Sequence, residues 1–361
     1  MALIQVDGAG DYASLNAAIV PCTGGEVITI SETWAGDDTT SVVWDQAVTV
    51  NVTGSAKNTQ GYPDQANTYR HTESSGHAFT VTAAVVINDM DIMSNSTGVS
   101  DEIFHLSGVH SITCRRCHIG FSGNTDQQDL IYHDTDGGSL TWDFESCMFY
   151  DVGRSIIDQN GSSSTITVNF NGCSSLNIGA NGGRNGGTWF GEIGGGTSVV
   201  NVFNCLITGA GGEAFHFDGT STFNADYNIT SYSSGSFAVY QDTDNQSTGN
   251  TYGVTFVEGE PTDVQVGLIE TGTSPYDQRL YDHANNIAID AHSVETGPDS
   301  GLAIANDIIG TVRGASEDHD IGAFEITAGG GGSAVTKTGA ITPSGVPTRH
   351  FAGARAVAGE L

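Results

Sequence analysis

A drifting repeat constrains this chain more than any single motif. The same short apolar run returns as AFTV (78), IFHL (103), LIYH (130), IIDQ (156), WFGE (189), AFHF (214) and FAVY (237). Each run is followed by a second apolar strand that closes on MDI, CHI, CMF, CSSL, CLI or YNI. The period drifts between about 22 and 33 residues because the Gly/Ser/Asn/Asp turns vary in length. No amphipathic helix of three turns intervenes, which excludes alternating layers of strand and helix. The fixed L-x-x-L-x-L frame of leucine-rich repeats is absent too. Units of two or three short strands cannot bury a face alone. They must stack coil on coil, with equivalent strands about 4.8 Å apart in parallel sheets.

Composition agrees with many short strands and turns: glycine is abundant (49) and proline scarce (7). The formal net charge is −31, with only two lysines, Lys57 and Lys337. Such a chain repels phosphate backbones and anionic membranes, so neither nucleic acid nor membrane is an expected partner. An acidic polysaccharide would need bridging cations, and Ca²⁺ is the one kept in view; no other cofactor and no metal site is expected. MALIQVDGAGDYASL lacks the basic and apolar regions of a signal peptide, and no apolar run reaches transmembrane length. The six cysteines are too few for a disulfide scaffold in a chain of 361 residues. These features predict a protein made and folded in the cytosol with reduced thiols.

Asp11 is placed to N-cap a short helix, DYASLNAAIV, with Leu15 and Ile19 on one face to cover the first coil. EVITI (26–30) and AVTVNV (47–52) then alternate as strands. The chain divides into a cap with the first coils (1–75), the repeat with a closing segment (76–326) and a Gly/Thr-rich tail (327–361). The tail carries Lys337, Arg349 and Arg355 against an acidic body. It is read as an arm docking on another subunit or a partner.

GDYASLNAAI, together with IAIDAHSVETG…NDIIGTVRG…DHDIGAFE (287–325), resembles right-handed parallel β-helix proteins of the pectin-lyase-like superfamily. The resemblance spans roughly residues 5–326, with His292 where those proteins carry glycine. It implies an all-β, right-handed parallel β-helix solenoid with a short N-terminal capping helix. It does not fix an activity, because that superfamily holds lyases, hydrolases, adhesins and phage tailspikes.

The stretch CRRCH (114–118) matches the attachment pattern of c-type haem. The repeat reads it otherwise. Cys117 aligns with Cys147, Cys173 and Cys205 in an inward ladder of thiols, and Cys114 aligns with Phe144, Phe170 and Val202 as a small hydrophobe. Arg115 falls beside Glu145 on the outer face.

Function on such a solenoid is expected on an outer sheet face. With Phe79, Phe104, Ile131, Ile157 and Phe215 inward, the outward residues are Thr80, His105, Tyr132, Asp158 and His216, and two positions on Thr82, Ser107, Asp134, Asn160 and Asp218. Glu192 joins this stripe if Trp189, Gly191 and Ile193 face in, and Tyr240 and Asp242 lie beyond. Any sheet turns polar residues outward; the signal here is the concentration of His, Tyr and carboxylates in the middle coils. Asp134, Asp158, Glu192 and Asp218 are the candidate catalytic carboxylates. Asp134 and Asp158 sit diagonally on adjacent coils, roughly 7–8 Å apart at Cβ, within the range used in glycoside hydrolysis. His105, Tyr132, His216 and Tyr240 are the candidate substrate-binding residues. His105 and His216 lie four coils apart, roughly 19 Å, and cannot share a metal. Lyase chemistry is disfavoured: the coils hold no lysine, and Arg154 and Arg184 are placed in turns away from the stripe.

A β-helix without an export signal and with reduced cysteines predicts a bacteriophage virion component, a tailspike, fibre or capsid-decoration protein presenting its coils to host carbohydrate. It would be made in the host cytoplasm and docked to virion proteins or to itself, as in a trimer. A glycoside hydrolase acting as a polysaccharide depolymerase, and a bacterial surface adhesin, are the alternatives.

Overall fold

A computed structural model describes residues 3–6, 12–30, 36–53, 69–73, 76–95, 102–121, 129–133, 137–160, 164–179, 188–192, 196–209, 212–247, 249–262, 264–269, 280, 283, 285–289, 292–293, 318–319 and 321–323. The strands form three parallel sheets, and the chain visits them in rotation, which is the topology of a parallel β-helix. The first sheet stacks Val42–Trp44, Phe79–Val81, Phe104–Leu106, Ile131–His133, Ser155–Gln159 and Thr188–Glu192. The second stacks ten strands from Leu3–Val6 through Ser139–Glu145, Thr165–Asn171 and Thr197–Phe203 to the later parts of Phe215–Asp226 and Ala238–Ser247. These last two strands are long enough to belong to both sheets and join them at one end. The third sheet runs from Gly36–Asp38 through Asp91–Ser94, His118–Phe121 and Met148–Tyr150 to Ile229–Thr230.

Alternation along the strands explains the core. In Ser139–Glu145 and Thr165–Asn171 every second residue is buried, which puts Trp142, Phe144, Val168 and Phe170 inside. Like then stacks on like: the Phe144 and Phe170 rings lie 5.3 Å apart and nearly parallel, as do Phe79 and Phe104 at 5.2 Å. Truncating a ring in such a column to Ala costs about 3–5 kcal/mol.

The cap is a helix at Leu15–Ile19 with Leu15, Ala18 and Ile19 buried. Its N-cap is Ser14, not Asp11, which lies outside the described residues: Ser14 Oγ accepts from the Ala17 N–H at 3.2 Å. Asn16 Oδ1 accepts the Val43 N–H at 3.1 Å, so the helix also occupies the open edge of the first sheet. At the other end the closing segment lies on the third sheet. The Ala323 N–H donates to Ser174 Oγ at 2.9 Å, and Ile321 packs in a second apolar cluster with Leu206, Ile229 and Ile287. Gly322, at φ +106°, sits where a Cβ would come within 2.7 Å of Leu206. The tail 327–361 lies outside the described residues.

CRRCH is resolved residue by residue. Cys114 pairs in register with Ile87 and Phe144 and is fully buried, and Arg115 pairs with Glu145 through a 3.2 Å ion pair. Arg116 is the corner between second and third sheets, at φ 53°. Among the described residues, other coils place such a left-handed residue there: Asp89, Ser146, Gly172, Asn204 and Tyr227 follow the same geometry. Arg116 offsets the strain of that conformation by a two-pronged bond to Asp89, the corner residue one coil earlier, at 2.7 and 2.9 Å. Cys117 heads the thiol ladder with Cys147, Cys173 and Cys205; all are buried free thiols, and Asn228 and Asn250 continue the column. Burial pushes the thiols of Cys114, Cys147 and Cys173 well up. His118 stacks on Tyr150 at 4.4 Å beside buried Asp91 and is committed to packing.

Candidate functional site

The outer face of the first sheet carries the candidate site. Strand pairing sets His105 beside Tyr132, Tyr132 beside Asp158, Asp158 beside Gly191 and Gly191 beside His216. The predicted outward row is therefore real, with one substitution: Gly191 fills the place expected for Glu192. Glu192 pairs with Gln159 and Phe217, one position off the row, because Phe190 and not Trp189 aligns with Ile157. Tyr240 is corrected in the same way. It pairs with Phe217, in a column where Leu106, His133, Gln159 and Phe217 are buried in the interior. The side chains of Glu192, Asp218, Tyr240 and Asp242 lie outside the described residues, as do Asp134 and Arg184 entirely.

The centre of the face is built around Arg154, which the sequence reading placed away from it. Arg154 stands at the bend before Ser155–Gln159, and its guanidinium reaches across the coil boundary. Nε and one terminal nitrogen bind both oxygens of Asp129, while that terminal nitrogen also meets Asp158 Oδ2 at 2.8 Å. Its charge lies 6.0 Å from the centre of the Tyr132 ring. Asn160 Nδ2 donates to the Tyr132 hydroxyl at 3.2 Å. Asp129 and Asp158 are each only 3% exposed, so Arg154 covers the carboxylates instead of leaving a flat solvated row.

Asp129 is the functional candidate that sequence reasoning missed. It occupies the corner two residues before inward Ile131, where the residue between, Leu130, is also buried and alternation fails. Burial pushes its carboxyl up to about 7 against the pull of Arg154, with Asp158 and Glu102 adding repulsion. The Ser155 N–H also donates to its Oδ1 at 3.0 Å. The charge of the two acids holds the Arg154 guanidinium firmly protonated despite burial.

The same corner position is acidic in two other coils, at Glu102 and Glu213, while Ser155 and Thr188 hold it between them. Glu102 approaches His77 and His105, and Glu213 Oε2 lies 2.7 Å from His216 Nδ1. His105 is 41% exposed at its side chain and His216 only 14%, so the two ends of the face differ in access. Chemically the centre offers a proton on Asp129, an ionic clamp and an aromatic ring with a polar tip.

No family model, curated protein or solved structure matches this chain. Among the described residues, no helix is long and apolar enough to cross a membrane.

Proposed function

We propose that the protein engages a glycan chain along the outer face of its first sheet, as a virion component of tailspike, fibre or capsid-decoration type. The observation that carries this reading is the assembly of Arg154, Asp129, Asp158 and Tyr132, flanked by His105 and His216, on one face of a cylinder. Sugars present vicinal hydroxyls, which suit carboxylate and guanidinium forks, and apolar ring faces, which suit an amphipathic aromatic. A row about 4.8 Å per coil presents such groups repeatedly along an extended chain. Six free, buried thiols are consistent with folding in a reducing host cytoplasm. Docking through the basic tail belongs to this proposal, as does self-assembly. Surface display as an adhesin would use the same face.

A second reading, a depolymerase of glycoside hydrolase type, is favoured by one specific feature. Two carboxyl groups meet at a single guanidinium nitrogen, and one of them, Asp129, is held up at about 7. A hydrolase needs a protonated acid beside an ionised partner. In this version the acid is Asp129 and the partner Asp158, replacing the expected pairs with Asp134 or Glu192.

The test is incubation with a panel of purified capsular and O-antigen polysaccharides, followed by retention and product sizing. Retention without shortening supports the binding protein. Shortened products that disappear in Asp129→Asn support the depolymerase. Neither retention nor shortening with any polysaccharide overturns both.

A further inference from the structure

We infer that His77, Glu102 and His105 form a binding site for a divalent transition-metal ion of the zinc class. The three side chains come from adjacent coils, and one ligand atom from each lies within 4.8 Å of the others. Glu102 Oε2 is the focus: His77 Nδ1 stands 2.6 Å away and His105 Nδ1 3.5 Å away. The carboxylate side chain is 8% exposed, and this oxygen accepts no hydrogen bond despite both neighbours. His105 Nδ1 is likewise dry and without a hydrogen-bond partner.

The two imidazole rings are stacked at 4.0 Å with only 12° between their planes, which holds both beside the same carboxylate.

The donor set selects the ion. Two imidazoles and one carboxylate suit Zn²⁺, Co²⁺ or Ni²⁺. Calcium takes about six to eight oxygens and finds only one side-chain carboxylate here. The His77 and His105 side chains are 27% and 41% exposed, so an ion can reach the cluster from solvent. This inference does not rest on the glycan reading, although His105 belongs to both.

The experiment is equilibrium dialysis of chelator-stripped full-length protein against Zn²⁺, with bound metal measured by mass spectrometry and Co²⁺ substitution followed by visible absorption. One Zn²⁺ per chain and ligand-field bands of a nitrogen-bound Co²⁺ are expected. Loss of an outer-shell partner costs about 10–100-fold in metal affinity, so His105→Ala or Glu102→Gln should cost at least about 100-fold. His110→Ala, on the same coil but bonded to the Ser107 carbonyl, should bind as the parent does. His105 is exposed enough to remove without unfolding the coil, and an unchanged melting midpoint verifies that. Absence of stoichiometric binding would mean that a proton alone bridges His77 and Glu102. That result, or binding that survives in His77→Ala/His105→Ala, overturns the inference.

Discussion

The outer faces of the first and second sheets use the same strand geometry for opposite ends. On the second sheet one outward row reads Thr113, Asp143, Asn169, Asn201, Asn224. Each amide there donates to the residue one coil earlier, Asn169 to Asp143, Asn201 to Asn169 and Asn224 to Asn201, at 2.5 to 2.8 Å. From Asn169 to Asn224 the ladder is homotypic, and each amide gives a hydrogen bond to its own neighbour. On the first sheet the corresponding row is heterotypic, and its groups are held by charge through Arg154, Glu102 and Glu213. Repetition therefore gives stability where one residue type recurs, and gives chemistry where the coils differ.

The largest effect should come from removing the clamp. Arg154→Met strands two buried carboxylates, and breaking a buried pair from one side costs several kcal/mol. A loss of about 3 kcal/mol is expected in urea unfolding at neutral pH. A loss under about 1 kcal/mol would mean that the face is as loosely coupled as an ordinary surface.

Next comes a pH dependence confined to the first face. Asp129 in the folded chain holds its proton up to about 7, against an unperturbed 3.8. Between these values the folded state binds a proton that the unfolded chain has released, so stability falls as pH rises. The contribution is fully present below about 4 and gone above about 7. Subtracting the profile of Asp129→Asn from that of the parent should isolate this slope. Identical profiles would show that Asp129 ionises like an ordinary carboxylate.

The smallest effect is expected on the second face. Asn201→Ala removes one amide bond given and one received, about 1–2 kcal/mol in all, with no dependence on pH near neutrality. A loss as large as that of Arg154→Met would erase the distinction between the faces.

Much of this architecture was legible in the sequence. Cys117, Cys147, Cys173 and Cys205 fixed the register of two sheets, because a column of small buried residues admits no slip without exposing its neighbours. Leu15 and Ile19 likewise announced the capping helix. The outward row from His105 to Asp158 followed from simple alternation. Alternation failed at corners. Arg154 and Asp129 lie beside bends where two consecutive residues are buried, and a long guanidinium reaches i+4 and the previous coil at once. WFGE slipped by one because Trp189 and Phe190 are both buried, so hydrophobicity alone could not choose which heads the strand. The left-handed corners escaped notice because Asp89, Arg116, Ser146 and Tyr227 share a backbone shape and no chemistry.

The most direct test sets the two faces against each other as binding surfaces. Two triple variants of the full chain would be compared for retention on immobilised capsular and O-antigen polysaccharides. One carries His105→Ala, Tyr132→Ala and His216→Ala on the first face, and the other Thr113→Ala, Thr141→Ala and Thr167→Ala on the second. The first is expected to lose at least about tenfold in affinity, about 1.4 kcal/mol, while the second binds as the parent does. Equal retention by both variants, or a loss confined to the second, would contradict the assignment of function to the first face.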